Sequence, residues 1–147
     1  MEGSGRVDES LEIILQNKSN DILSYQPDGK WSVKEHTGHL SVLEPLWRAR
    51  IQDIIEKRPT LTPTDLNNSA TSEAGFNKLS ITELIQRFAV ERRQTLALLD
   101  SINISGHTNT SLHPRMQQPM RIIDIAYFTA EHDDHHMGVI GEILVQN

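Results

Sequence analysis

The 147-residue sequence contains no cysteine, which excludes disulfides, thiolate metal ligands and a protein-borne cysteine nucleophile. No apolar stretch approaches the roughly 20 residues needed to span a bilayer. The start, Met-Glu-Gly-Ser-Gly-Arg, lacks the apolar segment of a secretory signal. No run of Lys or Arg exceeds two, and 14 basic against 20 acidic residues leave a formal net charge of -6. That balance argues against nucleic acid and anionic membranes as partners. Hydrophobic residues at 37% and charged residues at 23% are still compatible with a globular core. The expectation is one cytoplasmic domain over residues 1–147, with no room for a second.

Histidine is what the chain has in quantity. There are 7, and five fall in the windows 36–39 and 132–136.

Four segments carry helical periodicity, separated by polar stretches, and none shows strand alternation. The first is expected over Val7 to Ser24, with Val7, Leu11, Ile14, Leu15 and Ile22 on one face and Pro27-Asp28-Gly29 as a stop. The second opens on a capping box, Ser32 with Glu35, and runs through Leu40, Leu43, Trp47, Ile51 and Ile54 to about Lys57. Residues 58–79 are long for a structureless loop, so they read as a crossover or a lid. A second capping box, Ser80 with Glu83, starts the third helix, whose stripe is Ile81, Leu84, Ile85, Phe88, Leu96, Leu99 and Ile102. After another polar connection, the fourth spans roughly Met120 to Val145, with Ile122, Ile125, Phe128, Val139, Ile140 and Ile143 in phase. The expected fold is an all-α four-helix bundle with a long connection between helices 2 and 3.

At 100° per residue from Ile122, the apolar stripe of the last helix centres near 300°, with His132 at about 280° and His136 at about 320°. His135 falls at the edge. An i, i+4 pair places its Cβ atoms about 5–6 Å apart. Two imidazole nitrogens on one tetrahedral ion sit roughly 3.3 Å apart, which converging rings can reach. A third ligand should come from a facing helix. The second helix offers His36, central in its stripe, and His39 on the flank, and periodicity does not choose His39.

Trp31-Ser32-Val33-Lys34-Glu35-His36-Thr37-Gly38-His39-Leu40, His113-Pro114 and Glu131-His132-Asp133-Asp134-His135-His136 together resemble the DinB-like (YfiT-like) superfamily, over nearly the whole chain. The resemblance implies a four-helix bundle with a divalent metal, zinc or nickel, held by His39, His132 and His136. His36 would then be a supporting or core histidine. Characterised relatives include thiol-dependent S-transferases. The implied function is metal-dependent hydrolysis or thiol-dependent transfer on a small-molecule substrate, with a low-molecular-weight thiol as a second cofactor in the latter case. The alternative is a metal-binding or stress-related module without turnover. About one ion per chain is expected, with affinity falling below roughly pH 6 as the imidazoles protonate.

Beyond the histidines, Glu44 and Arg92 both phase inward. They read mainly as a mutual ion pair, with Glu44 as a candidate general base and Arg92 as a candidate anion clamp. Trp31 and Trp47 read as core anchors, and Asp133 and Asp134 as solvated. Ile13 and Leu98 fall off the stripes and suggest a homodimer contact.

Overall fold

The computed structural model describes residues 7–146. Its helices are α1 (Val7–Leu15), α2 (Asn20–Ser24), α3 (Val33–Ile55), α4 (Ser69–Ser72), α5 (Ile81–Asp100) and α6 (Ile122–Gln146). The chain is a four-helix bundle of α3, α5, α6 and the broken first helix α1–α2. Helix α3 packs most extensively on α5 and next on α6, and α1 lies against α5.

The expected first helix is not continuous. Asn17 takes a left-handed backbone with φ 62°, which ends α1. Ser19 then caps α2 by accepting from the Ile22 amide at 3.3 Å. The break turns Leu23, not Ile22, into the core, at 2% exposure.

The capping box at Ser32 is complete: its hydroxyl accepts from the Glu35 amide, and the Glu35 carboxylate accepts from the Ser32 amide. At Ser80 only half of the expected box forms. Its hydroxyl accepts from the Glu83 amide, while the Glu83 carboxylate faces Arg87 at 3.7 Å. Helix α6 starts at Ile122 because Pro119 and Met120 form a two-residue strand, β2, antiparallel to β1 (Ser111–Leu112). This hairpin of two-residue strands is a minor addition to the all-α bundle. The 58–79 connection is not structureless either, since it holds α4 and a 3₁₀ turn at Phe76–Lys78.

Two apolar clusters fill the bundle. One gathers Leu11, Leu23, Leu40, Phe88 and Ile140, and the other Ile51, Ile54, Leu99, Ile122 and Ile125. Along α3, α5 and α6 the residues between these clusters include Glu44, Arg92 and Asp133, at 0%, 3% and 2% exposure. Arg92 donates to both Glu44 oxygens, at 2.8 and 3.2 Å, and to Asp133 at 2.8 Å. The ion-pair reading of Glu44 and Arg92 describes this layer. Asp133 is not solvated as expected, because Arg92 draws it into the interior. Phe128, expected in the core, is 40% exposed. Of the two off-stripe residues, Ile13 is exposed but Leu98 packs against the second cluster. Among the described residues no helix is long and apolar enough to cross a membrane.

Gly38 is where α3 admits its cover. A Cβ there would lie inside van der Waals contact with the Phe76 ring. Gly38→Ala is therefore expected to destabilise the protein by about 1–3 kcal/mol, since the buried ring must move. Thermal unfolding of the variant measures this.

Candidate metal centre

Helices α3 and α6 bring four histidines face to face. Ser32 fixes the start of α3, so His36 and His39 project one turn later beside His132 and His136. Ring nitrogens of His39, His132 and His136 lie within 4.8 Å of one another. His39 Nε2 and His132 Nε2 lie 3.3 Å apart. That separation matches two ligands of one tetrahedral ion, roughly 3.3 Å apart. His39 Nδ1 meets the Thr71 hydroxyl at 2.9 Å, which fixes the ring and leaves Nε2 for the cluster.

His36 lies outside this trio. Its Nδ1 faces His136 Nδ1 at 2.8 Å, so it orients His136 and leaves that ring's Nε2 on the far side. Trp31, read as a core anchor, instead lies over the rings, 4.7 Å from His39 and 5.5 Å from His36 between centroids. Trp47 is buried and meets His132 edge-on at 5.5 Å.

Burial holds all four imidazoles neutral. His36, His39 and His132 are each lowered to about 4, by desolvation first and by neighbouring histidines next. His136 is pushed to about 2, again mainly by burial. Neutral imidazole is the metal-binding form. Proton competition should thus begin nearer pH 4–5 than the pH 6 expected from free histidine. Among the described residues His132 Nδ1 is buried without a hydrogen-bond partner, an unusual cost of about 1–3 kcal/mol. The residues fit a divalent cation: neutral nitrogens converge, and their neighbours fix two of the rings.

The same shifts set a pH dependence for the metal-free protein. Each folded-state histidine pKa lies below the unfolded value near 6.5, so between about pH 6.5 and 4 the unfolded chain binds more protons. Stability then falls as pH falls through that window. Asp133 acts in the opposite sense, because burial raises it to about 6 and protonation there favours the folded state. Four histidines outweigh one carboxyl. Urea unfolding of chelator-treated protein should show a lower midpoint near pH 5 than near pH 7. An unchanged or higher midpoint would mean the imidazoles are not buried in neutral form.

A cavity of about 580 Å³ opens beside the trio. His39, His132, His135 and His136 line it, with Trp31, Trp47 and Phe128 as aromatic walls. The 58–79 connection supplies Pro63 to Leu66 and Asn68, and the turn after β1 supplies His113 to Arg115. Glu44 and Arg92 are not in its wall. Sequence reasoning missed Thr71 and Arg50 as site residues. Thr71 carries no signal in a polar loop, whereas Arg50 lies eleven residues from His39 and so on the same helical face, about 20° away.

The chain is thus a four-helix bundle with a histidine-lined cavity against α3 and α6, a place where bundles can build ligand and metal sites. The sequence signature of the DinB superfamily matches residues 6–140, and the chain belongs to that superfamily. Among solved structures it is similar to YfiT from Bacillus subtilis, a probable metal-dependent hydrolase with an unusual four-helix bundle topology. The TM-score is 0.83 at 19% identity, covering 99% of this chain and 83% of that one. Part of the chain is also similar to integration host factor subunit alpha. The match is 36% identical over 62 residues for the Saccharophagus degradans protein and 34% over 61 for that of Ectopseudomonas mendocina. Each covers 42% of this chain, which spans 61% of the length of these curated relatives.

Proposed function

We propose that the protein is a divalent-metal-dependent enzyme acting on a small molecule, with His39, His132 and His136 as the ligands. The observation that carries this is the convergence of three neutral ring nitrogens within 4.8 Å at the wall of a cavity. Three neutral ligands leave the ion its full charge and open positions, from which it would polarise a carbonyl or lower the pKa of water or a thiol. The resemblance to YfiT, described as a probable metal-dependent hydrolase, supports hydrolysis as the first reading.

The chain's own residues do the remaining work. Thr71 and His36 orient two ligand rings. The aromatic walls exclude water from an apolar substrate body. His135, exposed at the cavity and 5.1 Å from His136 between ring centroids, is placed to carry a proton in or out. Glu44 is paired with Arg92 and does not line the cavity, so this reading gives it no general-base role. That placement favours thiol-dependent transfer as the second reading, because a bound thiol supplies its own nucleophile in a chain without cysteine. A nucleic-acid partner does not belong to this reading, given the net charge of -6.

Screening metal-stripped and zinc-, nickel- or manganese-loaded protein tests it, using ester, amide and electrophile–thiol pairs. Turnover should appear only with metal, and it should disappear in His132→Ala. Turnover that survives chelation and the substitution would overturn the proposal.

A further inference from the structure

Arg50 is a buried cation in the cavity wall, outside the histidine cluster. It lies on α3 at 3% exposure. Its Nε donates to the Thr62 carbonyl at 2.9 Å. Neither Nη has a hydrogen-bond partner among the described residues. Nor are these nitrogens among the fully buried unpartnered atoms, so they retain access to open space. A buried guanidinium is costly without an anion beside it. The nearest candidate, Asp53, favours the guanidinium electrostatically but lies beyond ion-pair distance from it, so burial costs more than it returns. One Asp53 oxygen instead accepts from the Thr62 amide and hydroxyl, at 2.6 and 2.7 Å.

The position along the helix matters as much as the charge. His39, Leu43, Leu46 and Arg50 follow one another at i, i+4, i+7 and i+11 and all line the cavity. They form one stripe, with the histidine trio at one end and the guanidinium about 16 Å further along the axis at the other. Between them lie Leu43, Leu46 and Trp47, which are apolar.

We infer that Arg50 is the carboxylate-binding end of this cavity, and that the ligand is an elongated small molecule with a carboxylate terminus and an apolar body. Its other end would meet the histidine trio. That last clause rests on the metal-site reading, but carboxylate binding at Arg50 does not. The two free Nη groups match the two oxygens of a carboxylate in end-on, bidentate fashion. One buried cation with Asp53 close by suits a monoanion better than a phosphate dianion. The other charged groups facing this end are Arg115 at the mouth and Asp65. Asp65 is already occupied by the Asn67 and Ser69 amides, at 3.0 and 2.7 Å. The His113 pKa is lowered, by burial first and then by Arg50 and Arg115, which agrees with a positive field here.

The test is calorimetric titration of phenyl-terminated straight-chain carboxylates of increasing length, each against its primary amide, on wild type with and without zinc. Arg50→Gln and Arg50→Lys follow, with circular dichroism and thermal unfolding to confirm folding. At least one carboxylate should bind wild type about tenfold or more tighter than its amide. Arg50→Gln should lose that margin while still binding zinc. Arg50→Lys, if folded, should keep only part of it, because the planar fork is gone. His132→Ala should lose zinc yet retain the carboxylate preference in zinc-free buffer. Equal binding of acid and amide, or no binding of any carboxylate at millimolar concentration, would overturn the proposal. So would a preference that survives in Arg50→Gln. A preference lost in His132→Ala but kept in Arg50→Gln would place the carboxylate on the metal instead. Absence of zinc binding by wild type, with Arg50 recognition intact, would sink the metal reading alone.

Discussion

Arg92→Met is expected to lower the unfolding free energy by about 3–5 kcal/mol, because it leaves Glu44 and Asp133 buried without their cation. The layer is buried, at 0%, 2% and 3% exposure for Glu44, Asp133 and Arg92. Arg92 also lies over the Phe88 ring, 4.8 Å from its centroid, so methionine retains part of the packing but not the charge. The two carboxylates would respond by binding protons, and Asp133 is already raised to about 6 by its burial. Removing both partners as well should recover much of the loss. The triple variant Glu44→Leu, Arg92→Met, Asp133→Val is expected to sit well above the single one, since replacing a whole buried ionic group by apolar side chains is often nearly neutral. Urea unfolding of the single and triple variants decides this. A single variant within about 1 kcal/mol of wild type would show that water, not Arg92, solvates these carboxylates.

The second large effect is on metal affinity. His39→Ala, His132→Ala and His136→Ala each remove one of three proposed ligands and should abolish micromolar zinc binding. His36→Ala keeps the ligand set. It removes the Nδ1 contact that orients His136, so a loss of about 10–100-fold is expected, the range for a hydrogen-bond partner of a ligand. It should also lose some stability from the cavity it leaves. The inverse pattern, with His36→Ala inactive and His39→Ala normal, would require the site to be rebuilt around His36.

The last helix was legible because its burial is one-sided, so the i, i+4 pair His132 and His136 could be phased from Ile122, Ile125 and Ile140. The start of α3 was not. Every residue from Ser32 to Ser41 is buried there, under Trp31 and the Phe76–Lys78 turn, so helical phase cannot separate His36 from His39. The resemblance to the family pointed to His39, and the structure brings His39, not His36, into the trio. The break in the first helix was hidden by an apolar spacing that continued across it by chance, although Asn17 and Ser19 are the residue types that end and start helices. The hairpin was invisible because two-residue strands are too short to alternate. Asp133 was misread because its partner, Arg92, sits 41 residues away on another helix, and no local pattern announces such a pair.

Titration of chelator-treated wild-type protein reads metal binding at the histidine trio without recourse to any substrate. With zinc, nickel and manganese added in turn near pH 7.5, calorimetry should show binding of about one ion per chain for at least one of the three. His39→Ala run beside it should show none. Absence of binding to all three ions by folded wild-type protein would contradict the account.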